Sequence, residues 1–237
     1  MTKARYLTCL VLVAASPPPV TNTDEYAPIL VEGNKNPFTL SPKRLRAAVV
    51  TFRKDQPRYA LAAPLAFEIV SRGASLDGVK LRIDDGGDER FDLPLNADGL
   101  FTLPAVDLTG KNWWITGNRK ARTMFVRSII RSPGLPANTH RIGDQRLQCR
   151  VSWSLLKDTI EPEARIFADL FGGACGFTKL GVFFIGVPRP LDRAIIKDGS
   201  CEIAVPLGKD GKSFKALYHD KSISNDALLL LTYKPNP

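Results

Sequence analysis

Along the body of the chain, apolar residues recur at every second position in short runs. In the clearest run, Leu147, Cys149, Val151, Trp153 and Leu155 fall on one face and Gln148, Arg150, Ser152 and Ser154 on the other. A two-residue period is that of a half-buried strand. Short apolar stretches of the same kind occupy 46–52, 65–70, 79–83, 91–95, 123–130, 180–187, 195–196, 201–207 and 228–233. Turn chemistry separates them, at Asp85-Gly86, Asp98-Gly99, Gly117-Asn118, Asp198-Gly199 and Asp210-Gly211, pairs that suit tight hairpins. One short helix is expected over 161–171, where Pro162 suits a first turn, Ile166, Phe167, Leu170 and Phe171 share a face, and Gly172 ends it. The expected fold class is mainly β, with sandwich-like antiparallel sheets and that single short helix.

Two segments resemble each other. Phe91 to Gly99 and Ile203 to Gly211 share an apolar-x-apolar-Pro-Leu-x-x-Asp-Gly pattern, each following a glycine-containing turn. Physically this is a strand that leads through proline to a turn, and proline confines such a strand to a sheet edge or to its own end. The pattern divides the body into two related β modules, 43–135 and 136–237, parted at Ser132-Pro133-Gly134-Leu135-Pro136. Chance recurrence of Asp-Gly turns in a β protein is the competing explanation.

The N-terminus changes the picture by suggesting a compartment. Lys3 and Arg5 precede an apolar stretch from Tyr6 to Ala15, and small residues offer a cleavage point after Ala15. Residues 1–16 therefore read as a signal peptide, too short to span a bilayer, although a buried N-terminal strand or helix would share the pattern. Cys9 lies inside the apolar run rather than at its end, which argues against a lipoprotein anchor. Residues 17–42, rich in proline, asparagine and threonine, read as a leader beside the fold. On this reading the protein is exported, to the periplasm or the exterior.

A chain of 237 residues with 44% hydrophobic and 24% charged residues has globular composition and length enough for a core without metal or disulfide staples. The mature chain has no run long enough for a membrane span. Its net charge of +9 favours anionic partners: an envelope polymer or glycan if exported, nucleic acid if the N-terminus is not a signal.

With Cys9 in the signal, Cys149, Cys175 and Cys201 remain, so one disulfide and one thiol are expected. The loops from Cys149 to Cys175 and from Cys175 to Cys201 are equal in length and do not decide the pairing. Cys149 lies mid-strand on the apolar face, where it can serve as a small hydrophobe. Cys175 with Cys201 is therefore the expected pair.

Catalytic and cofactor signals are sparse. His140 and His219 are the only histidines, each in a turn-like segment with no nucleophile motif beside it. The chain carries no Gly-x-Ser-x-Gly elbow, phosphate loop, His-Glu-x-x-His or zinc spacing, and Gly172 to Gly176 lacks the lysine of a phosphate cradle. Asp84, Asp85, Asp88 and Glu89 cluster, but their order does not match a calcium loop. No cofactor and no metal are expected.

The most suggestive surface runs from Lys111 to Arg122, where Trp113 and Trp114 meet Arg119, Lys120 and Arg122. On a strand, one tryptophan points to the core and its neighbour outward. An outward indole beside cations can stack on a sugar or base while the cations hold an anionic group. A packed aromatic with a solvated basic hairpin is the simpler reading. The functional expectation is a non-catalytic exported β protein that binds through a basic surface. A secreted enzyme with dispersed carboxylates and an intracellular nucleic-acid binder are the alternatives.

Overall fold

A computed structural model describes residues 36–73, 75–173, 175–176 and 184–235. The expected signal peptide, most of the proline-rich leader and part of the 180–187 stretch lie outside the described residues. Among the described residues the fold is mainly β, with antiparallel sheets and three α-helices. Four of the five expected turns form where the sequence places them. Gly86, Gly99, Gly199 and Gly211 all adopt positive φ, a conformation open to glycine because it lacks Cβ.

Strand β1 (Pro37–Leu40) pairs with β6 (Trp114–Lys120), which pairs with β3 (Leu81–Asp84), which pairs with β4 (Arg90–Leu93). A second sheet joins β5 (Leu100–Phe101), β2 (Leu65–Ser71) and β7 (Met124–Ile130). The inner faces of both sheets supply one core, including Leu40, Phe67, Ile69, Ile83, Ile115 and Val126. Alternation explains it: in β7, Met124, Val126, Ser128 and Ile130 are buried and the residues between them are not. The leader's last residues belong to this core as well, because Phe38 and Leu40 of β1 are buried in it.

Two expected strands are helices. Residues 46–52 lie in α1 (Pro42–Tyr59) and 147–155 in α2 (Ile142–Leu156). In α1 the apolar residues that pack are Leu45, Ala48, Val49 and Phe52, spaced three and four apart as a helix face requires, and Pro42 starts the helix with its φ already set. In α2 only Leu147, Val151 and Leu155 of the five alternating residues are buried. Positions four apart satisfy a helical face and a two-residue alternation equally, so the short window misled. The expected helix over 161–171 is α3 (Pro162–Leu170).

A third sheet has the order β11 (Cys201–Ala204), β10 (Leu191–Asp198), β13 (Leu228–Tyr233), β8 (Thr139–Arg141), and β9 (Phe184–Gly186) pairs with β12 (Ser213–Lys215). These strands enclose a second core with Leu191, Ile196, Phe214, Leu229 and Leu231. The two similar segments occupy comparable places: β4 and β11 are each the outer strand of a hairpin at a sheet edge, where proline is tolerated.

Helix α2 touches both cores. Its Ile142 lies in the second, whereas Leu147, Val151 and Leu155 lie in the first. Gly143 makes the junction close: a Cβ there would stand 2.0 Å from the Tyr59 carbonyl oxygen and 2.9 Å from that of Asn225.

Candidate functional site

The tryptophan surface forms only in part. Trp113 is buried, its indole N–H donating to the Asp107 carbonyl at 2.9 Å, while Trp114 is 41% exposed. This is the core-and-outward division expected of neighbours at a strand. Around Trp114 the register sets Asp84 alongside and Arg90 beyond it. Arg119 and Lys120 lie at the other end of β6, with Lys120 six residues from Trp114 and so about 20 Å along the strand. Arg119 donates to the Asp77 carbonyl at 2.7 Å, and Arg122 sits in the turn after β6. The expected turn at Gly117-Asn118 is instead the middle of β6, where a Cβ on Gly117 would press within 3.0 Å of Leu81 and 3.1 Å of Met124. Glycine here allows a close approach rather than a bend.

Lys111, the remaining cation of that group, is engaged. Its ammonium lies 3.0 Å from Asp85 Oδ2 and 3.2 Å from Glu89 Oε1. The hydrogen bond from Lys111, followed by that from the Gly87 backbone, holds the Asp85 carboxyl below the usual range, and the hydrogen bonds to Asp85 and then Glu89 raise Lys111. Among the described residues, no cluster of histidine, cysteine and carboxylate side chains fits a metal ion. The 84–89 acids hold a lysine and their own turn.

The disulfide differs from expectation. Cys149 bonds Cys175, and Cys201 is free and exposed, correcting the Cys175–Cys201 pairing. A helix turns about 100° per residue, so Cys149 is about 200° around α2 from Leu147 and faces away from the core. There it meets the segment that follows α3. Gly172 and Gly173, both at positive φ, end α3, and a Cβ on Gly173 would lie 2.7 Å from the Trp153 ring.

Beside this bond opens a cleft of about 420 Å³. Four segments line it: Arg58 and Tyr59 from the end of α1, Arg146 and Arg150 from α2, residues 171–172 and 175–176 after α3, and the loop before β13 carrying Tyr218, His219, Lys221 and Asn225. Arg146 and Arg150 are one helical turn apart and so project from the same side of α2. Two guanidiniums approach the Tyr59 ring, Arg58 at 5.2 Å and Arg150 at 5.7 Å from its centre, contacts in which the ring face attracts cations.

The four cations differ in their partners. Arg146 is a structural clamp: it donates to the Tyr218 carbonyl at 3.0 Å, the Ile223 carbonyl at 2.9 Å, Asn225 Oδ1 at 2.5 Å, and the Asp220 carbonyl. Burial lowers its pKa, against the opposing pull of Tyr59 and Asp220. Arg150 pairs with Asp55 at 2.6 Å. Arg58 and Lys221 have no carboxylate partner among the described residues. No carboxylate is among the described residues lining the cleft, so its field is positive. Burial pushes the Tyr218 phenol well above its usual value, and its hydroxyl donates to Gln145 Oε1 at 2.8 Å; Tyr218 is a neutral donor rather than a base.

His140 lies apart from the cleft lining. Its Nδ1 is 3.5 Å from Arg131 Nη1 and from Gln145 Nε2, donors that suit a neutral ring. Burial, reinforced by Arg131, lowers its pKa.

Sequence reasoning missed Arg58, Tyr59, Arg146, Arg150 and Lys221. The available signal was the four-residue spacing of Arg146 and Arg150, which a helical reading of 142–156 would have aligned. Comparison of the chain with models of known families, with curated proteins and with solved structures finds no match.

Proposed function

We propose that this protein is an exported, non-catalytic binder that holds an anionic envelope component in the cleft formed by α1, α2 and the loop before β13. The observation carrying this reading is the positive lining with no carboxylate of its own, in which Arg58 and Lys221 lack acidic partners among the described residues. Cations left unpaired at a concave site attract anions more strongly than dispersed surface charge does, because the cleft walls focus the field. The Cys149–Cys175 bond supports an oxidising compartment. The charged and then apolar order of the first sixteen residues supports export.

The test is retention of the purified protein on anionic and neutral envelope fractions at low and moderate ionic strength, alongside the Arg58→Glu, Lys221→Glu double variant. Native protein is expected to be retained by the anionic fraction, with salt weakening retention as charge screening sets in. The double variant is expected to bind about 10- to 100-fold more weakly, from about 1 kcal/mol of charge contact at each site. Equal retention of variant and native protein, or equal retention by neutral material, refutes the proposal. Trp114→Ala serves as a control for the β6 face and is expected to leave retention unchanged.

A further inference from the structure

A second cavity, of about 350 Å³, adjoins the cleft along α2. Its α2 residues are Gln145, Gln148, Cys149, Ser152, Trp153 and Leu156, spaced three or four apart as one face of the helix. From Gln145 to Leu156 this groove follows about 16 Å of helix. Ile160, Ile185 and Tyr218 complete the lining.

Although several lining residues are polar, each of Gln145, Gln148, Ser152 and Trp153 already has a polar atom bonded within the protein. Gln145 Oε1 accepts from the Tyr218 hydroxyl and Gln148 Oε1 from the Ile130 amide at 3.0 Å. Ser152 pairs with Ser128 at 2.7 Å, and the Trp153 indole donates to Asp169 at 3.1 Å. What remains for a ligand is largely carbon: the indole face, the isoleucines, Leu156 and the methylenes of the glutamines. Apolar surface in a concave site favours an apolar guest.

The groove and the cleft meet at two places. Tyr218 lines both, and the disulfide joins them, with Cys149 in the groove and Cys175 in the cleft. The uncharged cavity therefore lies against the cationic one, with Tyr218 and the disulfide forming the wall they share. We infer that the anionic ligand is a single-chain amphiphile, an alkyl or acyl chain ended by phosphate or carboxylate, with its head beside Arg58 and Lys221 and its chain along α2. This rests on the proposed anion-binding role of the cleft and adds the chemistry of the rest of the ligand.

The experiment is calorimetric titration of the full chain with hexyl, octyl and decyl phosphate below their micelle concentrations. Inorganic phosphate, decanoate and octyl glucoside complete the series. Each methylene buried in the groove is expected to tighten binding about fourfold, the equivalent of about 0.8 kcal/mol. Decanoate measured against decyl phosphate tells which head the cleft prefers. Ile160→Trp, which fills the groove, is expected to abolish the dependence on chain length, and Arg58→Glu with Lys221→Glu to weaken every anionic member. The native series is informative whether or not the variants fold.

A flat response to chain length, with inorganic phosphate binding as well as decyl phosphate, overturns the amphiphile inference and leaves the anion-binding cleft standing. Equal binding of octyl glucoside overturns the need for an anionic head. Absence of binding by every anion in the series overturns both readings.

Discussion

Arg146 offers the sharpest test of how the cleft is built. Its guanidinium draws together Tyr218, Asp220, Ile223 and Asn225 from one loop by four hydrogen bonds. The substitution Arg146→Met keeps much of the stem and removes every donor. A hydrogen bond from a charged donor contributes about 1.5–3 kcal/mol net, so four in a sealed interior would sum to about 6 kcal/mol or more. The cleft is open to water, which can rehydrate the freed carbonyls, and the expected loss is therefore about 3 kcal/mol. Arg146→Lys is expected to lose about 2 kcal/mol, because one compact ammonium cannot span acceptors that a planar fork reaches together. Urea unfolding measures this directly: with a slope of about 2 kcal/mol per molar, Arg146→Met shifts the midpoint down by about 1.5 M at unchanged slope. A loss below about 1 kcal/mol for Arg146→Met would show that the loop is held by something other than this side chain.

Three further outcomes are expected. Trp113→Ala should cost about 3–5 kcal/mol as a large buried ring is deleted, and Trp114→Ala about 1 kcal/mol; similar losses for the two would place both rings in like surroundings. Peptide mapping without reduction should recover Cys149 joined to Cys175 with Cys201 alkylated, and the Cys149→Ser, Cys175→Ser pair should lose about 3.5 kcal/mol by the loop-closure relation; a peptide linked through Cys201 would refute the pairing. His140 is held below its unfolded pKa, so the unfolded chain takes up a proton first as pH drops below about 6.5. Stability should accordingly decline from that pH downward until the folded ring protonates, and His140→Gln should flatten this limb in unfolding curves; an unchanged limb would dismiss His140 as its source.

The β framework was legible because alternation and turn chemistry are local. Where an alternating apolar stretch leads into Asp-Gly, as before Gly86 and Gly211, the turn residue and the strand period agree and the elements form. The failures are places where two periods coincide or where a distant contact decides. Leu147, Val151 and Leu155 satisfy strand and helix alike, and packing against α1 and β7 selects the helix. Gly117 reads as a turn until Leu81, Met124 and Phe38 crowd it. The disulfide followed from the first of these errors, since a strand would have pointed Cys149 to the core and the helix points it out. The cleft was hidden for a deeper reason: Arg58, Arg146 and Lys221 are separated by long stretches of chain, and only the folding of α1 and the pre-β13 loop against α2 brings them together.

Helix α2 also governs how the molecule opens. Its first residue anchors one core and its later turns the other, so neither set of strands can separate from it without disturbing the amides they share. The backbone hydrogens of its middle turns should therefore exchange with solvent only in the rarest, fully unfolded excursions. The edge strands β4 and β11, each bonded on one side, should trade theirs far sooner and set the fast end of the protection pattern.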